Sequence, residues 1–180
     1  GPGSLCPSTD SIKITVSDIN ISLFSRDTII CLGASYLIHA TGNAGPIYSW
    51  TPATSLNNPA ILQPTASPIS TTIYSLTASW PGSGCPDLTV GLKVTVLDAT
   101  INLHTPDTTI CLGDEVNIRM SGDPALVYQW IPAMAMNNPT VKEPVISPMV
   151  NTTFSVTATY GGICFSSAAL KIVVANPIAS

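Results

Sequence analysis

Apolar and polar residues alternate along much of this chain, and wherever the alternation is clean its period is two. In Glu115-Val116-Asn117-Ile118-Arg119-Met120-Ser121 the apolar Val116, Ile118 and Met120 alternate with polar residues. A pleated strand sends successive side chains to opposite faces, so this pattern predicts a half-buried strand. Tyr74, Leu76, Ala78 and Trp80 form a second such face, and Leu92, Val94 and Val96 a third. Prolines at 52, 59, 64 and 68 lie between the patterned runs, where they end strands and forbid long helices.

The pattern occurs twice. Asp27-Thr28-Ile29-Ile30-Cys31-Leu32-Gly33 returns as Asp107-Thr108-Thr109-Ile110-Cys111-Leu112-Gly113, eighty positions later. In the same register Trp50 meets Trp130, Pro52 meets Pro132, Asn57-Asn58-Pro59 meets Asn137-Asn138-Pro139, and Tyr74-Ser75-Leu76 meets Phe154-Ser155-Val156. Cys85 and Cys164 match one residue short of that register, which implies a one-residue deletion in the loop before Cys164. Cys6-Pro7 and the run Ile12 to Val16 echo Cys85-Pro86 and the run Leu92 to Val96. The expected organisation is a protease-site scar over 1–4, the last strand of a preceding repeat over 5–18, and complete repeats over 19–97 and 98–176. About seven short strands per repeat predict an all-β chain of two tandem antiparallel sandwiches with an immunoglobulin-like layout. Val96-Leu97-Asp98-Ala99-Thr100-Ile101 joins them without a Gly-rich or Ser-rich spacer, which predicts a short, stiff junction and an end-to-end rod.

Composition narrows the partners. Charged residues are 9% of the chain against roughly 25% in an average soluble domain, and the net charge is -4. Six Lys plus Arg, scattered singly, give no basic patch for a phosphate backbone, so nucleic acid is not an expected partner. No apolar run approaches the roughly 20 residues of a spanning helix, so no membrane span is expected within the fragment.

The cysteines carry the compartment argument. Cys31 with Cys85 and Cys111 with Cys164 fall at equivalent places of the two repeats, which predicts one disulfide within each repeat and leaves Cys6 unpaired. A loop of about 54 residues closed this way would stabilise a repeat by roughly 4 kcal/mol. Disulfides persist in oxidising compartments, so an extracellular, exported protein is expected. A metal site is the rival reading, but no C-x-x-C occurs and only His39 and His104 could complete a ligand set; buried thiols are a third. No cofactor is expected.

The tryptophans have two readings. Trp50 and Trp130, each in a Tyr-x-Trp-x-Pro setting, could stack on sugar rings or could fill the core, as a sandwich tryptophan usually does. The core reading extends to Tyr48, Tyr128, Tyr74 and Phe154, while Trp80 and Tyr160 are expected to be half-buried.

Asp-Thr-x-Ile-Cys-x-Gly, Tyr-x-Trp-x-Pro, Pro-x-x-x-Pro, Thr-x-Tyr/Phe-Ser-Val/Leu-Thr-Ala, a Gly-Cys or Gly-x-Cys and a final Val-x-Val follow one another over 27–96 and 107–174. The composite resembles the PKD-like or Ig-like repeats of large cell-surface proteins of Bacteroidota. It departs from the PKD signature by having Trp-Thr-Pro-Ala and Trp-Ile-Pro-Ala where that family has an acidic Gly-rich turn. The resemblance implies export by the type IX route and a non-catalytic structural or adhesive role in a surface adhesin, including gliding-motility adhesins. The alternative it implies is a stalk or carbohydrate-binding accessory module of a secreted hydrolase. Implied partners are neighbouring repeats of the same chain and a surface polysaccharide or another cell-surface protein.

Three other chemistries bear on the sequence. Asp10-Ser11-Ile12, Asp27-Thr28-Ile29 and Asp107-Thr108-Thr109 look like the O-glycosylation acceptor of exported Bacteroidota proteins, making Ser11, Thr28 and Thr108 candidates; the competing reading is an Asp that caps a turn. Asp18, Asp27, Asp98 and Asp107 flank the junctions where calcium could sit, but six or more oxygen ligands are needed and carboxylates are sparse, so no metal is expected. Catalysis is not expected: no G-x-S-x-G, H-E-x-x-H or phosphate-cradling Gly loop occurs, and His39 and His104 are not at equivalent positions.

Overall fold

The structure is a computed structural model that describes residues 11–12, 18–82 and 84–175. Cys6, the scar expected over 1–4 and the strand expected over 5–18, apart from residues 11, 12 and 18, lie outside them. Among the described residues the chain forms sixteen strands and no helix. The first repeat contains β1 (Ile21–Leu23), β2 (Thr28–Cys31), β3 (Tyr36–Leu37), β4 (Ala40–Gly42), β5 (Ile47–Thr51), β6 (Thr65–Ala66), β7 (Thr72–Ser79) and β8 (Leu88–Leu97). The second contains β9 (Asn102–Leu103), β10 (Thr108–Cys111), β11 (Val116–Asn117), β12 (Met120–Ser121), β13 (Val127–Ile131), β14 (Val145–Ile146), β15 (Thr152–Tyr160) and β16 (Cys164–Ala175).

Each repeat is a two-layer sandwich. One layer is four-stranded, in the order β2-β8-β7-β5 and again β10-β16-β15-β13. The facing layer consists of short pairs: β1 with β4 and β3 with β6, then β9 with β12 and β11 with β14. The run 115–121, expected as one strand, is split into β11 and β12 around the buried Ile118. Pairing is antiparallel throughout except that β2 runs parallel to β8, and β10 parallel to β16.

The parallel pair exists because the opening segment changes layers. β1 pairs with β4, and then the amides of Phe24 and Ser25 both donate to the His39 carbonyl at 3.0 and 3.2 Å. The Ser25 hydroxyl oxygen accepts from the His39 amide at 2.8 Å, which satisfies the layer-crossing backbone. Asp27 Oδ1 then accepts from the Lys93 amide at 2.8 Å and seats the chain beside β8. The second repeat repeats the device with Thr105 Oγ1 on the Arg119 amide (2.7 Å) and Asp107 Oδ1 on the Lys171 amide (2.8 Å). Buried backbone groups need partners, and these side chains supply them where the ladder is interrupted.

Two separate cores fill the sandwiches. Ile38, Ala40, Trp50, Ala66, Tyr74, Leu76, Ala78, Leu92 and Val94 form most of the first, with period-two faces of β7 and β8 pointing inward. Ile118, Met120, Tyr128, Trp130, Ile146, Phe154, Val156, Ala158, Leu170 and Ile172 do the same in the second. Tyr160, the last residue of β15, and Trp80, just beyond β7, are half-buried.

The two hairpins differ more than the sequence register suggests. Thr72 faces Val94 in the first repeat and Thr152 faces Ile172 in the second, so the second hairpin is two residues shorter, not one. The β15–β16 ladder runs on to Tyr160 opposite Cys164 and closes through Gly161 and Gly162, both at positive φ (59° and 70°). The β7–β8 ladder stops at Ala78 opposite Leu88, leaving Cys85 in a longer loop.

Candidate functional site: the junction clamped by Cys31 and Cys164

The last residues of β8 hand the chain from one core to the next. Val94 is buried in the first core and Val96 packs against it, whereas Leu97 packs against the second core. Ala99 and Ile101 are already buried there. Asp98 turns the chain by accepting the Thr100 amide at Oδ1, 2.8 Å. The Thr100 side chain and then its amide hold the Asp98 carboxyl below the usual carboxylate range. The junction therefore has no spacer; it is one continuous strand-and-cap.

Across this junction Cys31 of the first repeat is bonded to Cys164 of the second, with S–S 2.03 Å and Cα–Cα 5.5 Å. The expected pairings Cys31–Cys85 and Cys111–Cys164 are thus incorrect, and the parallel strand explains why. Parallel pairing places Cys31 beside Leu97, at the end of β8, while Cys85 precedes Leu88 at its start. Ten strand residues at roughly 3.3 Å each put about 30 Å between those ends, and a disulfide needs Cα atoms within about 7 Å. Cys111 beside Ala175 and Cys164 at the start of β16 are separated in the same way. The end of the first sandwich abuts the start of the second, so Cys31 meets Cys164.

The corner around Cys31 is tightly specified. The Leu32 amide donates to the Leu97 carbonyl at 2.9 Å and the Ala34 amide to the Cys31 carbonyl at 2.9 Å. The turn between them needs Gly33, whose φ of +84° is costly for other residues. Cys164 is 1% exposed, and Cys31 is packed partly buried against the second core. Leu97 closes over the β15–β16 turn, its Cδ1 lying 3.7 Å from where a Cβ on Gly161 would stand. Cys85 is half-buried and Cys111 exposed with a free thiol.

The aromatic candidates sit in the interior. Trp50 is 1% and Trp130 0% exposed. The Trp50 amide donates to the Pro59 carbonyl (2.8 Å) and its Nε1 to the Ile61 carbonyl (3.0 Å); Trp130 repeats this with Pro139 (2.8 Å) and Val141 (3.1 Å). Asn57 Oδ1 accepts from the Asn58 and Thr65 amides, and Asn137 Oδ1 from the Asn138 and Val145 amides, which fixes the loop that holds each indole. An indole held so offers no face to a sugar. Tyr74 and Phe154 are fully buried, Tyr128 is buried and Tyr48 half-buried; the tyrosine hydroxyls of Tyr48 and Tyr128 donate to the carbonyls of Asn43 (2.5 Å) and Asp123 (3.1 Å). Burial, then the charges of Asp123 and Glu143, push the Tyr128 hydroxyl pKa up.

The other candidates are placed as follows. Thr28 and Thr108 open β2 and β10 and are half-buried, while Ser11 is exposed. Asp27 and Asp107 are engaged by backbone amides, and among the described residues no three His, Cys, Asp or Glu side chains gather into a metal-binding group. His39 and His104 are exposed. On the second repeat a groove is lined by Pro132, Met134, Ala135, Pro148, Met149 and Val150. No helix among the described residues is long and apolar enough to cross a membrane.

What sequence reasoning missed is the covalent bond between repeats. No local pattern marks it: Asp27 and Asp107 seat each cysteine strand beside the last strand of its own repeat, but the sequence does not record the direction of that pairing or which sandwich ends meet.

No family model matches the sequence, and no curated protein does. Among solved structures, the chain is similar to Sidekick-1 immunoglobulin domains 1–4, with 12% identity and a TM-score of 0.51 over 91% of this chain and 51% of that one. It is also similar to the insect immune protein hemolin, whose domain arrangement is described as having implications for homophilic adhesion. There the identity is 12% and the TM-score 0.55, over 92% of this chain and 49% of that one. The chain spans about half the length of these structures. At such identities the likeness establishes the fold, a tandem of Ig-like sandwiches.

Proposed function

We propose that the chain is a load-bearing, non-catalytic adhesive or spacer module on the outside of a cell, built from sandwiches clamped to each other covalently. The observation that carries this reading is the Cys31–Cys164 bond, because it joins two folded units and does not merely staple one. Residues 31 and 164 are 133 positions apart, so a pull applied at the chain ends passes through the sulfur bridge and leaves the intervening chain without load. A bridge of this kind also requires an oxidising compartment, which supports an extracellular location. The likeness to adhesion-type Ig tandems supports the module class. The finer setting, a bacterial surface adhesin of gliding-motility type exported by the type IX route, is supported by the resemblance of the repeat motif.

Single-molecule pulling tests the load path. On full unfolding the oxidised chain should extend less than the reduced chain by about 133 residues at roughly 3.5 Å each, or ~460 Å. Equal extension in both states would overturn the mechanical reading. A glycan array separates the accessory-module alternative: reproducible binding would favour it, and silence is expected.

A further inference from the structure

The Cys111 corner of the second repeat is built like the Cys31 corner of the first. β10 runs parallel to β16 with Cys111 opposite Ala175, as Cys31 stands opposite Leu97. The Leu112 amide donates to the Ala175 carbonyl at 3.1 Å and the Asp114 amide to the Cys111 carbonyl at 3.1 Å, matching the bonds of Leu32 and Ala34. Gly113 has φ +95°, as Gly33 has +84°. Asp114 Oδ2 adds an acceptor for the Cys111 amide at 3.1 Å and braces the turn further. The corners differ in what covers them. Cys31 is bonded to Cys164 and packed against the next core, whereas Cys111 is exposed and its thiol is free.

We propose that the Cys111 corner is a second clamp site, which takes a further sandwich of the same kind continuing the chain beyond Ala175 and presenting a cysteine at the start of its last strand. The occupant follows from the molecule itself: one repeat earlier, a seven-residue corner that differs only by Ile29 in place of Thr109 is occupied in just this way by Cys164. Ala175 lies where Leu97 lies, so a chain leaving it would deliver the next core to the same place. Bond formation is thiol–disulfide exchange with a disulfide-bearing oxidant, either an oxidoreductase or a small-molecule disulfide. The Cys111 thiolate attacks the oxidant and expels one of its thiols; the incoming cysteine thiolate then attacks Cys111 sulfur in the mixed disulfide and expels the other. Two cysteines lose two electrons and two protons, and the oxidant leaves as thiols.

The proposal rests on the tandem-module reading, and the test separates the two. The full chain is lengthened after Ala175 by a second copy of residues 98–175 carrying Ser167→Ala, so that its peptides differ in mass, and disulfides are mapped after oxidative refolding. The expected result is the Cys31–Cys164 bond together with a bond from Cys111 to the added copy's cysteine at position 164. If the first bond forms and Cys111 stays a thiol, this inference is wrong and the module reading stands; if neither forms, both fail. In the unlengthened chain Cys111 should react with maleimide under native conditions, and protection there would also overturn the inference.

Discussion

The two repeats reach one fold by the same Asp and Asn backbone-capping bonds and by different side-chain partners elsewhere. Asp27 and Asp107, Asn57 and Asn137, and the two indoles make the same bonds in each copy. Elsewhere the copies part. In the first, the buried Tyr74 hydroxyl meets Ser55 Oγ at 2.6 Å; in the second, Phe154 and Ala135 occupy the same two places, so both hydroxyls are absent together. Gln63 Nε2 donates to the Ala40 carbonyl at 2.8 Å, whereas Glu143 Oε1 accepts from the Met120 amide at 2.9 Å. Thr54, Ile69 and Ser70 become Met134, Met149 and Val150, which line the groove of the second repeat. The Asp and Asn side chains that accept backbone amides are kept, whereas Gln63 and Glu143 reach different backbone groups from equivalent places. The buried Tyr74 hydroxyl and its Ser55 partner are lost together, since an unpartnered buried hydroxyl is penalised. The cysteine corners differ for a third reason, their neighbour.

The largest effect is expected where the copies differ most, at the corner. Replacing both Cys31 and Cys164 by Ser removes a closure of 133 residues, worth up to about 5 kcal/mol in the chain-entropy model. Calorimetry should show one coupled transition split into two lower ones; an unchanged melt would mean that the bridge does not couple the repeats. Trp50→Ala and Trp130→Ala should each cost roughly 3–5 kcal/mol in urea unfolding, and by similar amounts, because the two indoles are held alike. A large inequality would break the claim of a common frame. Phe154→Tyr should cost about 1–3 kcal/mol by burying a lone hydroxyl, and adding Ala135→Ser should recover much of it. Additive losses in that double variant would show that the hydroxyl pair is not the unit of change. The smallest effect concerns Asp98. Its folded pKa is depressed, so its contribution is present above the ordinary carboxylate value of about 3.9 and is lost as pH falls through the lower folded value. Asp98→Asn should lower stability slightly at neutral pH and leave it nearly unchanged below the folded pKa, which flattens the acid limb of a urea-unfolding profile against pH; parallel profiles for the two proteins would contradict this.

Much of the fold was legible because strand burial is written in period two. The inward faces of Tyr74, Leu76 and Ala78, and of Leu92 and Val94, stand in the alternation itself. The eighty-residue recurrence located two sandwiches. The disulfide partners were not legible for a definite reason. Thr28-Ile29-Ile30-Cys31 alternates identically whether its partner strand runs parallel or antiparallel, and direction alone decides which end of the sandwich receives Cys31. The hairpin register was misjudged by a residue because matching Cys85 to Cys164 aligns two cysteines with different places, one in a loop and one in a strand. The short spacer-free junction was read from Leu97-Asp98-Ala99, but its covalent closure depends on which ends of the two sandwiches face each other, and no local pattern records that.

The central claim is that the repeats are bonded to each other, and tryptic mapping of the unreduced protein tests it most directly. Cleavage after Arg26, Lys93, Arg119, Lys142 and Lys171 places Cys31 and Cys85 in the peptide 27–93, Cys111 in 94–119 and Cys164 in 143–171. The structure predicts that 27–93 is recovered linked to 143–171 and that reduction separates them. Recovery of 94–119 linked to 143–171 instead would place the bridge inside the second repeat and contradict the account.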